Sequence, residues 1–171
     1  MADSGMIIKC VAGVYDVLYD GKVYSAYAAG KFRNQNITPL VGDYVKLKFS
    51  ERDGEKNYIT EILERKNSLK RPPVANVKTL LITLAVKKPN PDLKLVDYLV
   101  CYCRMFGIEP IICINKSDYD YSAAQELKDQ FVKSKIRAFI TSTETNDGVD
   151  ELRDAIDPGI TCFCGQSAVG K

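Results

Sequence analysis

The stretch Gly165-Gln166-Ser167-Ala168-Val169-Gly170-Lys171 decides the fold of the C-terminal part of the chain. It spells G-x-x-x-x-G-K, the pattern of a loop whose backbone N–H groups cradle phosphates between a strand and a helix. The apolar residues 159–164 directly before it predict the buried strand that such a loop requires. Because the motif normally continues through a Ser or Thr into a helix, we expect the chain to be truncated within this loop.

Upstream of the loop, apolar runs alternate with helical patterns. Residues 77–86, 110–114 and 137–140 predict three further buried strands. Helices are predicted to begin at Pro91-Asp92, to span 122–133 after a capping box at Ser122, and to span 149–156. This alternation predicts an α/β domain with a parallel sheet over residues 77–171.

Two more of these strands are followed by residues that suit a nucleotide base. Ligands of open parallel sheets bind beyond the carboxyl ends of the strands. Asn115-Lys116-Ser117-Asp118 follows one strand, and Thr141-Ser142-Thr143 follows the next. A carboxylate at Asp118 accepts both the N1 and 2-amino donors of guanine, whereas adenine would leave it facing an acceptor. The Lys116 stem can cover the base, and the Asn115 amide can tie neighbouring loops together.

Each of these motifs has an ordinary alternative. N-K-x-D alone is also typical of a polar turn, G-x-x-x-x-G-K of a glycine turn, and the Ser142 loop is a weak signal by itself. Ala168 occupies a position where many nucleotide-binding loops have Gly, and Ala suits it only if the local φ is negative. Together the motifs predict a GTP or GDP site. Its binding residues are predicted to be Asn115, Lys116, Asp118, Ser142, Thr143, Gly165, Gln166, Ser167, Ala168, Val169, Gly170 and Lys171, with Lys171 also the catalytic residue.

The N-terminal part predicts a different fold. Short β-rich runs cover residues 6–11, 14–19, 22–28, 44–49 and 58–63, and Asp20-Gly21 and Asp53-Gly54 mark turns between strands. This pattern predicts an all-β OB-fold barrel over residues 1–68, a fold that commonly binds RNA. Residues 30–36 combine two cations with Phe32, and either contact RNA or form a solvated loop in which Phe32 fills the barrel end.

A linker is predicted between the two folds, over residues 69–76. Arg65, Lys66, Lys70 and Arg71 in and before this stretch are basic, and Pro72-Pro73 is expected to exclude a continuing strand or helix.

Composition is that of a soluble, cytoplasmic globular protein. The chain has 171 residues, 46% hydrophobic and 27% charged, with a net charge of +2. It shows neither a signal peptide nor an apolar run of the ~20 residues that span a bilayer. Six cysteines without C-x-x-C spacing and the lack of histidine argue against a zinc site in these residues and favour reduced thiols. Residues 1–71 carry 12 basic against 9 acidic side chains, a mild bias compatible with nucleic-acid contact.

The order of the motifs is the discriminating feature. Most GTPases begin with the phosphate loop, whereas here Asn115 precedes Gly165 by 50 residues. In this order of motifs, nearly the whole chain resembles the circularly permuted ribosome small-subunit-dependent GTPases (the RsgA, YjeQ or YloQ family). The resemblance also includes the barrel, with its stretches Gly30-Lys31-Phe32-Arg33 and Val41-Gly42-Asp43, and the Asn67–Pro72 junction. Ala29 and Ala168 depart from the family pattern, which commonly has Arg and Gly there.

The resemblance implies an OB-fold barrel followed by an incomplete, circularly permuted P-loop GTPase domain. It implies GTP hydrolysis stimulated by the small ribosomal subunit during late maturation, with the subunit and its rRNA as partners, a monomeric state and no membrane. Mg²⁺ would take a ligand beyond Lys171, and zinc is expected only in a missing C-terminal domain. The 1–171 span alone is expected to hydrolyse GTP poorly or not at all.

Two other functions remain open from the residues alone. The chain could be an RNA-binding module whose α/β part is a non-catalytic scaffold, or a P-loop ATPase or kinase. Asp118 argues against the second of these, since a carboxylate there suits guanine.

Overall fold

The computed structural model describes residues 4–50 and 56–171 and divides into two compact units, Met1–Val77 and Lys78–Lys171. The predicted Asp53-Gly54 turn lies outside the described residues.

The first unit contains a closed five-stranded barrel. Its strands are β1 (Gly5–Val11), β2 (Val14–Tyr19), β3 (Lys22–Ala28), β4 (Tyr44–Lys48) and β5 (Asn57–Ile62). They close in the order β1-β2-β3-β5-β4. The β3–β5 pair is parallel and the other pairs are antiparallel. The predicted OB-like barrel is confirmed.

The alternating sequence of the strands fills the barrel. One residue in two points inward, and the inward residues Ile7, Val17, Ala26, Val45 and Ile59 are fully buried. The β2–β3 turn has positive φ at both central residues, 48° at Asp20 and 71° at Gly21, as a type I′ hairpin requires.

The segment from Gly30 to Asn36 settles one of the alternatives left open by the sequence. It forms a helical turn, α1 (Lys31–Asn34), rather than an open loop. Phe32 is only 4% exposed and belongs to the barrel core. Of the two alternatives for this ring, the one in which Phe32 fills the barrel is therefore confirmed, and the ring is not available to stack on a base.

The predicted linker is a second correction. β6 (Ser68–Lys70) and β7 (Pro73–Ala75) form an antiparallel hairpin, so Pro73 does not exclude a strand. Proline is tolerated there because it is the first residue of its strand. The hairpin is fastened by two asparagines. Asn67 exchanges two hydrogen bonds with the backbone of Val77, and the Asn76 side chain donates to the Gly42 carbonyl.

The second unit is built on a four-stranded sheet in the order β10-β9-β8-β11. Its strands are β8 (Val77–Ala85), β9 (Glu109–Asn115), β10 (Arg137–Ile140) and β11 (Ile160–Gly165). The pairs β8–β9 and β9–β10 are parallel. β11 runs the same way, since Gly159 lies against Lys78 and Gly165 against Thr83.

Three helices pack on this sheet. They are α2 (Leu93–Met105), α3 (Tyr121–Lys133) and the short α4 (Val149–Asp154). Asp92 caps α2 by accepting from the Leu95 N–H. The predicted capping box at Ser122 is wrong, because Asp120 caps α3 by accepting from the Ala123 N–H. In the described part of the chain, no helix combines the length and apolarity needed to cross a bilayer.

Candidate functional site

The carboxyl ends of β9, β10 and β11 bring the three predicted motifs to one edge of the sheet. Asn115 ends β9, the Thr141 loop follows β10, and the phosphate-loop motif begins at Gly165, the last residue of β11. Parallel strands place these ends at the same edge, so motifs up to 50 residues apart become neighbours.

Asn115 joins the three loops through its amide group. Its side chain is 1% exposed, and its Nδ2 donates to the Val169 carbonyl at 2.9 Å. Its Oδ1 accepts from the Thr141 hydroxyl at 3.2 Å and from the Thr143 N–H at 3.3 Å. The predicted tying of neighbouring loops by Asn115 is what the geometry shows.

Gly170 is held close to that amide. A Cβ added at Gly170 would lie 2.4 Å from Asn115 Nδ2, and its φ is 89°. Both the close approach and the positive φ require glycine here. The second glycine of the motif therefore lets the phosphate loop reach Asn115.

Lys116 turns the chain out of the sheet and spans two loops. Its φ of 62° is left-handed, and a 3₁₀ helix (Ser117–Tyr119) follows. Its Nζ donates to the Lys88 carbonyl at 2.6 Å and to the Ala168 carbonyl at 2.8 Å. The side chain thus runs across the site towards the phosphate loop.

Asp118 presents a positioned carboxylate. The residue is exposed, and its Oδ1 accepts from the Ser142 hydroxyl at 2.6 Å. Ser142 is fully buried, and its oxygen also accepts from the Thr145 N–H at 3.3 Å. An ionised carboxylate has about four acceptor positions, so one bond from Ser142 leaves capacity for a ligand with two donors.

Thr143 carries a backbone N–H at the edge of the site. Its N–H points at Asn115 Oδ1 over 3.3 Å, a long bond. A carbonyl oxygen placed beside the loop would share or replace this partner. The side chain of Thr143 is exposed.

The phosphate loop turns at three residues of positive φ. These are Gly165 at 137°, Ala168 at 61° and Gly170 at 89°. A Cβ at Gly165 would lie 2.0 Å from the Thr83 carbonyl oxygen, so only glycine fits there. Ala168 does not have the negative φ that suits it, and a left-handed Ala costs roughly 1–2 kcal/mol. The neighbouring Val169 is fully buried and anchors the loop.

Lys171 curls back over this loop. Its Nζ donates to the Gly165 carbonyl at 3.1 Å and also to the Gln166 carbonyl. The ammonium therefore lies within the curve of the loop, where it would meet an anion bound by the loop N–H groups. Ser167 lies on the exposed part of the same curve.

The loop after β8 also contacts the other loops of the site, although its sequence carries no recognisable motif. The Lys88 carbonyl accepts from Lys116, and the Asp92 N–H donates to Gln166 Oε1 at 3.0 Å. Residues 87–92 thereby connect the N-K-x-D loop with the phosphate loop. The available signal was position, because this loop also follows a buried parallel strand.

Metal ligands are a different matter. Within residues 4–50 and 56–171, no group of three or more His, Cys, Asp or Glu side chains could hold a metal ion. The expected Mg²⁺ ligand and zinc site were both placed after Lys171 and stay predictions.

Comparison with known proteins matches two family models to successive parts of the chain. Residues 4–59 match the family model described as the RsgA N-terminal domain, and residues 62–171 match the model described as RsgA GTPase. Two curated relatives carry the name small ribosomal subunit biogenesis GTPase RsgA. The one from Caldanaerobacter subterraneus subsp. tengcongensis is 39% identical over 98% of this chain, and the one from Geobacillus sp. (strain WCH70) is 38% identical over 98%.

Solved structures show the same likeness. The crystal structure of YloQ, titled a circularly permuted GTPase, matches with a TM-score of 0.82 at 32% identity. YjeQ from Thermotoga maritima matches with a TM-score of 0.86 at 28% identity, and each match covers 98% of this chain. The chain spans 56% and 58% of the length of the two relatives, and 61% and 62% of the two crystallised chains.

Proposed function

Because the chain belongs to the RsgA GTPase family, we propose that the protein binds and hydrolyses GTP and acts in the cytoplasm on the small ribosomal subunit during its late maturation. The observation that carries this proposal is the joining of three strand-end loops by the buried Asn115 amide. If the motifs were ordinary turns, there would be no reason for one buried side chain to hold all three loops together at the edge of the sheet where ligands bind.

Base recognition is assigned to the carboxylate of Asp118. Guanine offers donors at N1 and at its 2-amino group. The Ser142 hydroxyl fixes the position of the carboxylate by donating a hydrogen bond to Oδ1. The Thr143 N–H would donate to guanine O6, and the Lys116 stem would cover one face of the base. Adenine would leave the carboxylate facing an acceptor, which is a costly mismatch.

Phosphate binding is assigned to the loop from Gly165 to Lys171. Its inward backbone N–H groups would hold the phosphates, and Lys171 would exchange the Gly165 and Gln166 carbonyls for phosphate oxygens. Hydrolysis would consist of transfer of the terminal phosphoryl group to water. In that reaction Lys171 stabilises developing negative charge. A bound Mg²⁺ would neutralise further charge on the phosphates.

The barrel is assigned to docking on ribosomal RNA. Through Val77 the chain carries 12 basic against 9 acidic residues, a net of +3. OB folds commonly bind single-stranded nucleic acid. The same features would suit a plain RNA-binding module with a non-catalytic second unit, which is the competing function.

Calorimetric titration of the purified chain with GDP, GTP, ADP and ATP distinguishes the proposed GTPase from the plain RNA-binding module. We expect guanine nucleotides to bind at least about a hundredfold more tightly than adenine nucleotides, because adenine would leave the Asp118 carboxylate without its two donors. Sedimentation with purified small ribosomal subunits should show saturable binding. Equal affinity for GDP and ADP would refute the assignment of the base site. RNA binding with no nucleotide binding at all would favour the competing module.

A further inference from the structure

A row of side chains crosses the outer face of the barrel. Strand register places Val14 opposite Tyr27, Tyr27 opposite Tyr58, and Tyr58 opposite Lys48. The adjacent residues Ala26 and Ile59 are fully buried. Since successive residues of a strand point to opposite faces, Tyr27 and Tyr58 point outward.

The two tyrosines form an accessible pair of rings. Their centroids are 6.4 Å apart with an interplanar angle of 47°, and Tyr58 is 42% exposed. The Lys56 ammonium lies 4.5 Å from the Tyr27 centroid. A cation over this ring shows that its face can be approached from solvent, and nucleobases stack on the same kind of face.

An open cleft adjoins Tyr27 on the same unit. It has a volume of about 450 Å³, and its wall includes Tyr27, Gly30, Arg33 and Ile37. Among the described residues that line it, Arg33 is the charged one. No atom lies within 4 Å of the position that a Cβ would take at Gly30, so the cleft is open at α1.

The other aromatic cluster of the barrel is arranged differently. Tyr19, Tyr24 and Phe49 pack edge to face with centroids 5.0–6.3 Å apart. Their edges and faces contact one another, which is the geometry of a self-contained hydrophobic cluster. The Tyr27–Tyr58 pair instead combines ring faces with cations, and this is the chemistry that recognises single-stranded nucleic acid.

We propose that Tyr27 and Tyr58, flanked by Lys48, Lys56 and Arg33, form a stacking surface for single-stranded RNA on the outer face of the barrel. Successive bases would stack on the tyrosines, and the cations would contact the phosphates. The proposal rests on the RNA-docking part of the proposed function and names the surface that performs it.

The test is fluorescence anisotropy of a labelled 12-nucleotide single-stranded RNA with the whole chain. Tyr58→Ala should weaken binding about 5- to 150-fold, because stacking contributes ~1–3 kcal/mol per base. Tyr58→Phe should keep most of the affinity, since it retains the ring. Tyr98→Ala is the matched control, because Tyr98 is 65% exposed on α2 of the other unit.

The contribution of the cations is measured by the salt dependence of RNA binding. Lys56→Gln should reduce the slope of log affinity against log salt by about 0.7, the value for one phosphate contact on a single strand. A purely structural role of Lys56 would lower the melting temperature without changing that slope. Melting curves of every variant, followed by circular dichroism, separate loss of folding from loss of binding.

The outcomes separate this proposal from the function on which it rests. If Tyr58→Ala and Lys56→Gln bind the RNA like the unchanged chain, the surface is elsewhere and the proposal is overturned, while nucleotide and subunit binding stand. If the unchanged chain binds small subunits but not this RNA, the stacking surface is also overturned. If it binds neither RNA nor subunits, the RNA-docking part of the proposed function fails with it.

Discussion

Ala168 is an alanine in a glycine-like conformation. Its φ of 61° lies in the left-handed region, where a Cβ is strained, yet its carbonyl accepts from Lys116. The strain is therefore localised at the residue that connects the phosphate loop to the N-K-x-D loop.

Ala168→Gly should raise the free energy of unfolding by about 0.5–1 kcal/mol, because relief of the left-handed strain exceeds the entropy cost of glycine. Urea denaturation measures the change. Ala155→Gly is the matched control, since Ala155 has a φ of −79° and should lose stability on the same substitution. Equal destabilisation of both variants would contradict the strain.

Asp118→Asn should change the base preference from guanine to xanthine. The amide can donate to the 2-carbonyl of xanthine, whereas guanine loses two charge-assisted bonds and about a hundredfold in affinity. Competition against a fluorescent guanine nucleotide measures both. Asp120→Asn is the control, because asparagine also caps a helix and Asp120 caps α3. Retained guanine preference in Asp118→Asn would remove its role in base reading.

Two cysteines of α2 should differ sharply in reactivity. Burial, with a smaller contribution from Cys164, raises the pKa of the Cys103 thiol to about 11, while Cys101 on the same helix is exposed. At pH 8 only about one Cys103 in a thousand is a thiolate, and the thiolate is the nucleophile. Iodoacetamide followed by peptide mass spectrometry should therefore modify Cys101 well before Cys103. Modification of both at the same rate in the folded chain would contradict the burial.

The raised pKa of Cys103 also makes the stability of the folded chain depend on pH. The folded state holds the Cys103 proton more tightly than the unfolded state, whose pKa is near 9.0. This contribution to stability is complete below pH 9 and is lost as the pH rises towards 11.

At the scale of elements, one ion pair fixes the segment between α1 and β4. The fully buried Asp43 accepts from Arg65 Nε at 2.7 Å and from Arg65 Nη2 at 2.7 Å. It also accepts from the Leu40 N–H, and Arg65 donates to the Thr38 carbonyl. The pair thus joins residues 38–43 to the chain that follows β5.

Asp43→Asn should lower the free energy of unfolding by roughly 3 kcal/mol, because removal of one partner leaves a charged group without its counter-ion. Chemical denaturation measures it. The control is Glu61→Gln, which removes the exposed Lys46–Glu61 pair of 2.8 Å and should cost less than about 1 kcal/mol. Similar losses in the two variants would show that Asp43 is no more than a surface charge.

The local sequence pattern predicted most helices and strands. It failed where a residue distant in sequence determines whether an element forms. The bounds of β2 and β3 follow from alternation and the Asp20-Gly21 turn, both of which are local signals. The β6–β7 hairpin was missed because its fastening depends on Asn76 reaching Gly42 across 34 positions. The α3 cap was misplaced because Asp120 and Ser122 are both good caps by type, and only the backbone geometry chooses between them.

The same limit applies to the site. Residue type and position after a strand predicted that the three motif loops lie at one edge of the sheet, and the structure shows them in contact through Asn115. The Lys88 contribution was missed because it is a backbone carbonyl, which any residue type supplies. Phe32 could be assigned to the core only once the barrel was closed around it.

At the scale of the whole molecule, we expect this chain to bind guanine nucleotide without multiple turnover. The proposed base site and phosphate loop account for binding, whereas the chain spans only 56% and 58% of the length of the two relatives that are named GTPases. Phosphate release measured over an hour with excess GTP should stay at the level of Lys171→Ala. Sustained turnover that this substitution abolishes would contradict the expectation.

Asn115 also sets an order of events during synthesis. Its partner Val169 lies 54 positions later, whereas Thr141 and Thr143 lie 26 and 28 positions later. A nascent chain emerges from its N-terminus, so the barrel and then the base-reading loops are exposed to the cytosol before the phosphate loop. The Asn115 Nδ2 donor consequently has no Val169 carbonyl to meet until the last of these loops has left the exit tunnel. Circular permutation therefore places the proposed base-reading loops before the phosphate loop in the order of translation, so the proposed nucleotide site is complete only after the last of these loops has emerged.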